Sequence, residues 1–151
     1  MKGEESMFVR ERMSHPVASV QPGASLASAA TLMRDRKIRH LPVVDGTGRL
    51  VGIVTARDLR QALFAPAVQA GDVDLRSALE ALSVGDVMTR GVVSVGAMET
   101  IRDAARLMHE RRLGALPVVD DGRPVGILTE TDVLQAFQDL LGESMPAAIS
   151  V

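Results

Sequence analysis

The sequence predicts an α/β protein of the α+β type, built from two copies of one helix–strand–strand–helix unit. Three observations carry that prediction. The segment IRHLPVVDGTGRLVGIVTARDL at 38–59 lines up with LGALPVVDDGRPVGILTETDV at 113–133. Apolar residues recur at helical spacing before each LPVVD and give way to a strand–turn–strand pattern after it. Composition is ordinary for a globular chain, 46% hydrophobic and 24% charged over 151 residues. That length suits one domain, or two small halves that share a core.

Each element follows in chain order. Leu26, Ala29, Ala30 and Met33 fall at i, i+3, i+4 and i+7, as do Ile101, Ala104, Ala105 and Met108, which makes one apolar face on each first helix. Ser25 and Thr100 precede these runs as N-caps, and Thr100 with Asp103 resembles a capping box. The first strand is Leu41–Asp45 in one copy and Leu116–Asp120 in the other. A Gly-containing turn leads to the second strand, RLVGIVT or RPVGILT. The offset between copies is 75 before the turn, where Met13 matches Met88 and Val20 matches Val95. It is 74 after the turn, where Gly52, Thr55 and Asp58 match Gly126, Thr129 and Asp132. One residue is thus missing from the second turn, where a loop tolerates a deletion. Second helices open at Thr55 and Thr129 and carry Leu59, Ala62 and Leu63, or Val133, Ala136 and Phe137.

Neither copy is long enough to bury much core alone, so the two are expected to pair by pseudo-twofold symmetry. The expected organisation is a flexible N-terminus at 1–8, repeat 1 at 9–63, a linker at 64–81, repeat 2 at 82–138 and a loose tail at 139–151. Pro66 and Gly71 break the linker, and 74–82 reads as a short helix.

Several function classes fit poorly. Net charge is −2 and pI about 5.9, so no general basic field attracts a phosphate backbone. Aromatics are 2%, with no Trp or Tyr, which leaves little for base stacking. Nucleic acid is therefore not the expected partner. The absence of cysteine removes disulfides, thiolate zinc sites and thiol nucleophiles. The start, MKGEESMF, lacks a signal peptide's apolar core, and no apolar run approaches the ~18 residues of a membrane span. A cytoplasmic protein is expected. His15, His40 and His109 show no metal spacing, and no nucleophile-elbow, P-loop or HExxH pattern occurs. With no catalytic or metal constellation legible, the chain is expected not to be an enzyme.

The unit Met…LPVVD-x-x-G-x-h-V-G-I-h-T-x-x-D resembles the CBS repeat, named for cystathionine β-synthase, and two in tandem resemble a Bateman module. The resemblance covers about 9–63 and 82–138. It implies two clefts between paired repeats that take adenosine-containing ligands: AMP, ADP, ATP or S-adenosylmethionine, with no required cofactor. It implies a first site of Val17, Ala18, Ile38, His40, Ile53, Thr55, Arg57 and Asp58, to which the charge of Arg39 adds a further candidate. The second would comprise Val92, Val93, Leu113, Ala115, Ile127, Thr129, Thr131 and Asp132. In such sites the Asp bonds the ribose hydroxyls and the Thr sits near ribose or phosphate. The resemblance also implies a regulatory, energy-sensing homodimer acting on a further protein. Leu59, Leu63, Val133 and Phe137 are the expected exposed apolar residues at the dimer contact.

Physical chemistry supports those roles without requiring them. An ionised carboxylate only accepts hydrogen bonds, which suits a diol. A helix start offers N–H groups to a phosphate, and Ile38, Ile53, Leu113 and Ile127 suit the flat faces of adenine. Equally, Thr-x-x-Asp before an apolar helix is a capping signature, and Gly52 and Gly126 are explained by close packing in a sheet. Arg39, His40 and Arg57 in the first copy face Gly114, Ala115 and Thr131 in the second. They form either a phosphate-binding corner or a set of solvated charges. The first site is accordingly expected to favour phosphorylated ligands. A ligand-free structural or oligomerisation module remains the alternative, as does S-adenosylmethionine binding.

Overall fold

The computed structural model describes residues 6–142. The expected loose ends fall largely outside them: residues 1–5 and 143–151 are not described. Within the described range, Met7 C=O accepts from Ile101 N–H at 2.8 Å, Phe8 bridges Thr100, and the last helix continues to Leu141.

The chain divides into two units. The first comprises Val17–Val93 with Asp121–Pro124. The second comprises the segment up to Pro16, Ser94–Asp120, and the chain from Val125 on. Each repeat supplies the expected helix–strand–strand–helix series. Repeat 1 gives α1 (Leu26–Arg36), β1 (His40–Val44), β2 (Leu50–Thr55) and α2 (Ala56–Gln61). The linker holds α3 (Pro66–Gln69) and α4 (Leu75–Ala81), followed by α5 (Val84–Val87) and β3 (Val95–Gly96). Repeat 2 gives α6 (Ile101–Arg111), β4 (Ala115–Asp120), β5 (Arg123–Thr129) and α7 (Glu130–Leu141).

Local chemistry sets the helix ends. Ser25 Oγ accepts from Ser28 N–H at 3.0 Å, and Thr100 Oγ1 accepts from Asp103 N–H at 3.1 Å. The reciprocal Asp103 bond of a full capping box is not made. Both first helices end in a left-handed residue, Lys37 and Arg112, each with φ of 55°. Ile38 N–H then reaches Met33 C=O at 3.0 Å and Leu113 N–H reaches Met108 C=O at 2.9 Å, a Schellman closure that aims the next strand. Pro66 opens α3 as its first residue, a position where the missing N–H costs nothing.

In the first unit β1 and β2 pair antiparallel, His40 opposite Thr55 and Pro42 opposite Ile53. Val20 adds a parallel bridge to Val43, and Thr89 closes the far edge against Ile53 at 2.9 and 3.0 Å. Leu26, Ala29, Met33, Leu41, Val43, Val54, Val84 and Met88 bury together as its core. In the second unit β3 runs parallel to β4 with Val95 opposite Val118, β5 follows, and Ser14 bridges Ile127. Val9, Ile101, Ala104, Leu116, Val118, Leu128 and Ala136 are buried there.

The pairings repeat with the sequence offset. Ser14 and Thr89 are equivalent, as are Ile127 and Ile53. The opening segment of repeat 1 therefore edges the sheet of repeat 2, and the opening segment of repeat 2 edges that of repeat 1. Gly52 and Gly126 make this possible. A Cβ on Gly52 would lie 2.8 Å from Met88 Sδ and 3.0 Å from Thr89 O; on Gly126 it would lie 2.6 Å from Met13 Sδ and 3.0 Å from Ser14 O.

The turn deletion has a structural counterpart. In repeat 2, Asp121 (φ 49°) and Gly122 (φ 75°) form a two-residue turn with both residues left-handed, the geometry that Asp-Gly favours. In repeat 1 the turn is longer and carries a register irregularity at Val43/Val44. It is held by Asp45, whose Oδ1 accepts from Thr47 N–H, Thr47 Oγ1 and Arg49 N–H at 2.8, 2.6 and 3.1 Å.

One expectation about the second helices is corrected. Phe137 is exposed, but Leu59, Leu63 and Val133 are half-buried. With Ala136 fully buried, α7 turns Val133 inward, and its exposed apolar stripe runs through Leu134, Phe137, Leu140 and Leu141. Among the described residues, no helix is long and apolar enough to cross a membrane.

Candidate functional site

The first expected site lies wholly within one unit. Val17, Ala18, Ile38, Arg39, His40, Ile53, Thr55, Arg57 and Asp58 all belong to the first unit. Ile38, Arg39, His40, Ile53, Thr55, Arg57 and Asp58 stand at the end of the β1–β2 pair where α2 begins, and Val17 and Ala18 lie on the segment that leads to the Val20–Val43 bridge. His40 opposes Thr55 in the ladder, and Ala56 N–H donates to Arg39 C=O at 2.8 Å, which joins the approach to β1 to the start of α2. Ile38, His40, Ile53, Thr55 and Asp58 are half-buried, whereas Arg39 and Arg57 are exposed. Arg39 and Arg57 have no side-chain partner among the described residues.

The second set is not gathered in the same way. Leu113, Ala115, Ile127, Thr129, Thr131 and Asp132 belong to the second unit, while Val92 and Val93 belong to the first. Ala115 and Ile127 are each only 7% exposed, so both are core residues in this state.

The Thr-x-x-Asp motif forms a full capping box in both repeats. Thr55 N–H and Thr55 Oγ1 donate to Asp58 Oδ2 at 2.8 and 3.0 Å, and Asp58 N–H donates back to Thr55 Oγ1 at 3.2 Å. At Thr129 and Asp132 the corresponding distances are 2.8, 3.1 and 3.4 Å. Capping and ligand binding are compatible readings of these residues, and the cap is made in both repeats.

Two expectations change as a result. The first turn of α2 does not offer a row of free donors to a phosphate. The N–H groups of Ala56 and Asp58 are taken, leaving at most that of Arg57. The same holds in α7, where Glu130 N–H donates to Gly114 C=O and Asp132 N–H to Thr129 Oγ1. The Thr hydroxyls have also given their protons to the Asp, so they have only acceptor capacity left. What the cap leaves open is Asp Oδ1. Its two lone pairs carry no bond to the described protein, and the cap holds the carboxylate in one orientation. The positive charge nearest the start of α2 in the chain is that of the exposed Arg57 and, through the Ala56–Arg39 backbone bond, Arg39.

Thr89 was not among the expected site residues, yet its backbone pairs with Ile53 and borders this end of the sheet. The sequence signal for it was its equivalence to Ser14, each directly after a methionine of the repeat. Among the described residues, no group of three or more His, Cys, Asp or Glu side chains is placed to hold a metal.

A tandem pair of α/β repeats, each with a capped Thr-x-x-Asp beside a short sheet, defines the class. A family model described as the CBS domain matches residues 9–65 and 84–139, and the chain belongs to the CBS domain family. Among solved structures, CBSX2 in complex with AMP is 31% identical, with a TM-score of 0.72 over 89% of this chain and 98% of that one. CBSX2 from Arabidopsis thaliana, described as a CBS-pair protein, gives 33% and 0.76 over 92% and 99%. The CBS domain pair of protein MJ0100, in complex with 5-methylthioadenosine and S-adenosyl-L-methionine, gives 29% and 0.74 over 87% and 96%. A homoserine O-acetyltransferase of Methanocorpusculum labreanum is 37% identical over 82% of this chain, which spans 23% of that protein. The fold is thus that of a CBS pair, found both as a separate module and as a minor part of longer proteins.

Proposed function

We infer that the chain is a regulatory CBS-pair module that binds an adenosine-containing ligand of the AMP, ADP or ATP class. The ligand sits at the β1–β2–α2 end of the first unit, and occupancy is passed to a partner protein. The observation that carries this reading is the gathering of all nine residues of the first set in one unit, with one oriented carboxylate and two unpaired guanidiniums. Asp58 Oδ1 accepts from the ribose hydroxyls, Ile38 and Ile53 flank the base, and Arg39 and Arg57 meet the phosphate. The adenosine ligands of the similar CBSX2 and MJ0100 structures support the ligand class. The second set, with Thr131 in place of Arg57, is the weaker or less anion-selective site. Contacts that favour one packing of the module would shift its population on binding. An energy-sensing role in the cytoplasm follows if the ligand is a nucleotide, and the chain itself is a binding module rather than an enzyme.

Thermal unfolding with AMP, ADP, ATP and S-adenosylmethionine tests this. Ellipticity or a dye must serve as the signal, because the chain has no Trp or Tyr. A ligand at one hundred times its Kd adds about 2.7 kcal/mol, or roughly 5–11 °C for a chain of this size. A shift with the nucleotides supports the reading, a shift with S-adenosylmethionine alone reassigns the ligand, and no shift rejects it.

A second reading, a homodimer through α7, rests on a specific observation. Leu134, Phe137 and Leu140 are 62, 56 and 68% exposed on one helix face, an arrangement that suits a self-complementary contact. Sedimentation of the L134E/F137E variant should then give monomer where the unmodified chain gives dimer. If the dimer persists in the absence of any adenosine ligand effect, the module is structural.

A further inference from the structure

One edge of the first unit carries cations that the proposed ligand does not use up. Arg36 and Lys37 end α1, Arg39 precedes β1, and Arg57 and Arg60 lie one turn apart on α2; all five side chains are exposed. The hydrogen bond from Ala56 N–H to Arg39 C=O ties the two groups together. None of the five side chains has a partner among the described residues. Of the neighbouring acids, Asp35 pairs with Arg34 at 3.3 Å, and Asp58 is held by its cap through Oδ2 and makes no ion pair with any of the five. The chain as a whole carries −2, so this is a local concentration. The repeat provides an internal control. At the positions of Arg39, Arg57 and Arg60 the second copy has Gly114, Thr131 and Leu134, and it has Glu130 where the first has Ala56, whereas Arg36 and Lys37 are matched by Arg111 and Arg112; the two copies therefore differ in the cations of the second helix and the strand approach, not in those that end the first helix.

Exposed cations lacking partners raise the local positive potential and select an anionic surface. Phe64, 72% exposed and four residues beyond Arg60, is the one aromatic close to them in sequence; a single ring offers little for stacking successive bases, which favours carboxylates over a nucleic-acid strand. We propose that this edge, centred on Arg36, Lys37 and Arg60, is the docking surface for an acidic peptide segment of a partner protein. Arg39 and Arg57 are shared with the ligand site. Resting on the function inferred above, a bound phosphate therefore competes with the acidic segment for the same guanidiniums, and occupancy is read out as weaker docking. Adenosine, which lacks the phosphate, leaves docking intact.

The test is fluorescence polarisation of a fluorescein-labelled peptide of alternating Asp and Glu, about twelve residues long, against the full chain. Binding should weaken about tenfold between roughly 50 and 300 mM salt. The R36E/R60E variant should lose about a further tenfold, and the milder R36Q/K37Q/R60Q a smaller part of it. R102E/R106E, the same charge reversal on α6, should change affinity by less than about twofold. Equal losses in the edge and α6 variants would reduce the effect to net charge and overturn the proposal. So would no binding at low salt, or a labelled oligouridylate of the same length binding the edge more tightly than the peptide. Saturating AMP should weaken the peptide several-fold and adenosine should not. If AMP raises the melting temperature yet leaves peptide affinity unchanged, the competition is refuted. If AMP does not raise it, the ligand reading fails while the salt and variant results still decide the docking surface.

Discussion

Replacing Gly52 with alanine tests how the opening segment of repeat 2 is held on the sheet of repeat 1. The new methyl carbon would stand 2.8 Å from Met88 Sδ, 3.3 Å from Met88 Cγ and 3.0 Å from Thr89 O. The sulfur ends a flexible side chain, but Met88 is only 9% exposed and packs in the core. The carbonyl cannot give cheaply, because Thr89 is bonded to Ile53 in both directions at 2.9 and 3.0 Å. Relief must come from repacking Met88 and lengthening that pair. Overpacking of this kind costs about 1–3 kcal/mol, which corresponds to a fall in Tm of roughly 2–12 °C for a chain of this length. Gly46→Ala is the control, since no atom lies within 4 Å of its Cβ position. Gly126→Ala should cost a similar amount, through Met13 and Ser14, and the two losses should add because they share no contact residue. Thermal melts of the unmodified chain, the three single variants and the Gly52→Ala/Gly126→Ala double variant decide. If Gly52→Ala melts within about 1 °C of the unmodified chain, the glycine is not a packing requirement and the close approach of Thr89 is not what stabilises the edge.

Other expected outcomes concern caps, site and pH. Thr55→Ala removes the hydroxyl that caps α2 and frees one bond on Asp58 Oδ2, so a loss of about 0.5–2 kcal/mol in chemical denaturation is expected. Asp58→Asn keeps an acceptor for the cap but weakens the ribose contact, so it should lower the AMP-induced Tm shift more than the basal Tm. Arg57→Ala, exposed and without a partner, should leave basal stability within about 0.5 kcal/mol and still reduce the AMP shift. Arg112→Gly relieves a left-handed non-glycine residue at the end of α6 and should raise Tm by a few degrees, on the order of 1 kcal/mol. Asp45 is held below its ordinary value of 3.8, chiefly by the Thr47 hydroxyl and then by the N–H groups of Arg49 and Thr47. A lowered carboxyl contributes stability that is complete above the unfolded value and lost as pH falls through the folded one. Asp45→Asn should therefore flatten the decline of Tm below about pH 4 without steepening it near neutrality.

Much of the architecture was legible along the chain because its causes are local. Helical periodicity marked α1 and α6, Ser25 and Thr100 marked where they start, and the Asp-Gly pair at 121–122 marked the tight turn of repeat 2. The internal repeat doubled every such signal. The linker was read less fully: the helix at 75–81 was expected, while α3, opened by Pro66, was not. A proline that breaks one helix also suits the first turn of the next, and the sequence does not say which use prevails.

What the sequence by itself determined is the repeat, the order of its elements and the family, since periodicity, caps and turns are written in neighbouring residues. Tertiary structure alone decided which partner each edge found and which polar groups stayed available. Ser14 pairs with Ile127 and Thr89 with Ile53 across more than thirty residues, and no local pattern encodes such a choice. Asp58 and Thr55 have the residue types for ligand contact and for capping alike. Only the folded geometry showed the cap made, the first-turn N–H groups of Ala56 and Asp58 taken, and one carboxylate oxygen of Asp58 left without a bond among the described residues. The reason is that a hydrogen-bonding group is available only after every closer partner has been served, and that accounting requires the whole fold.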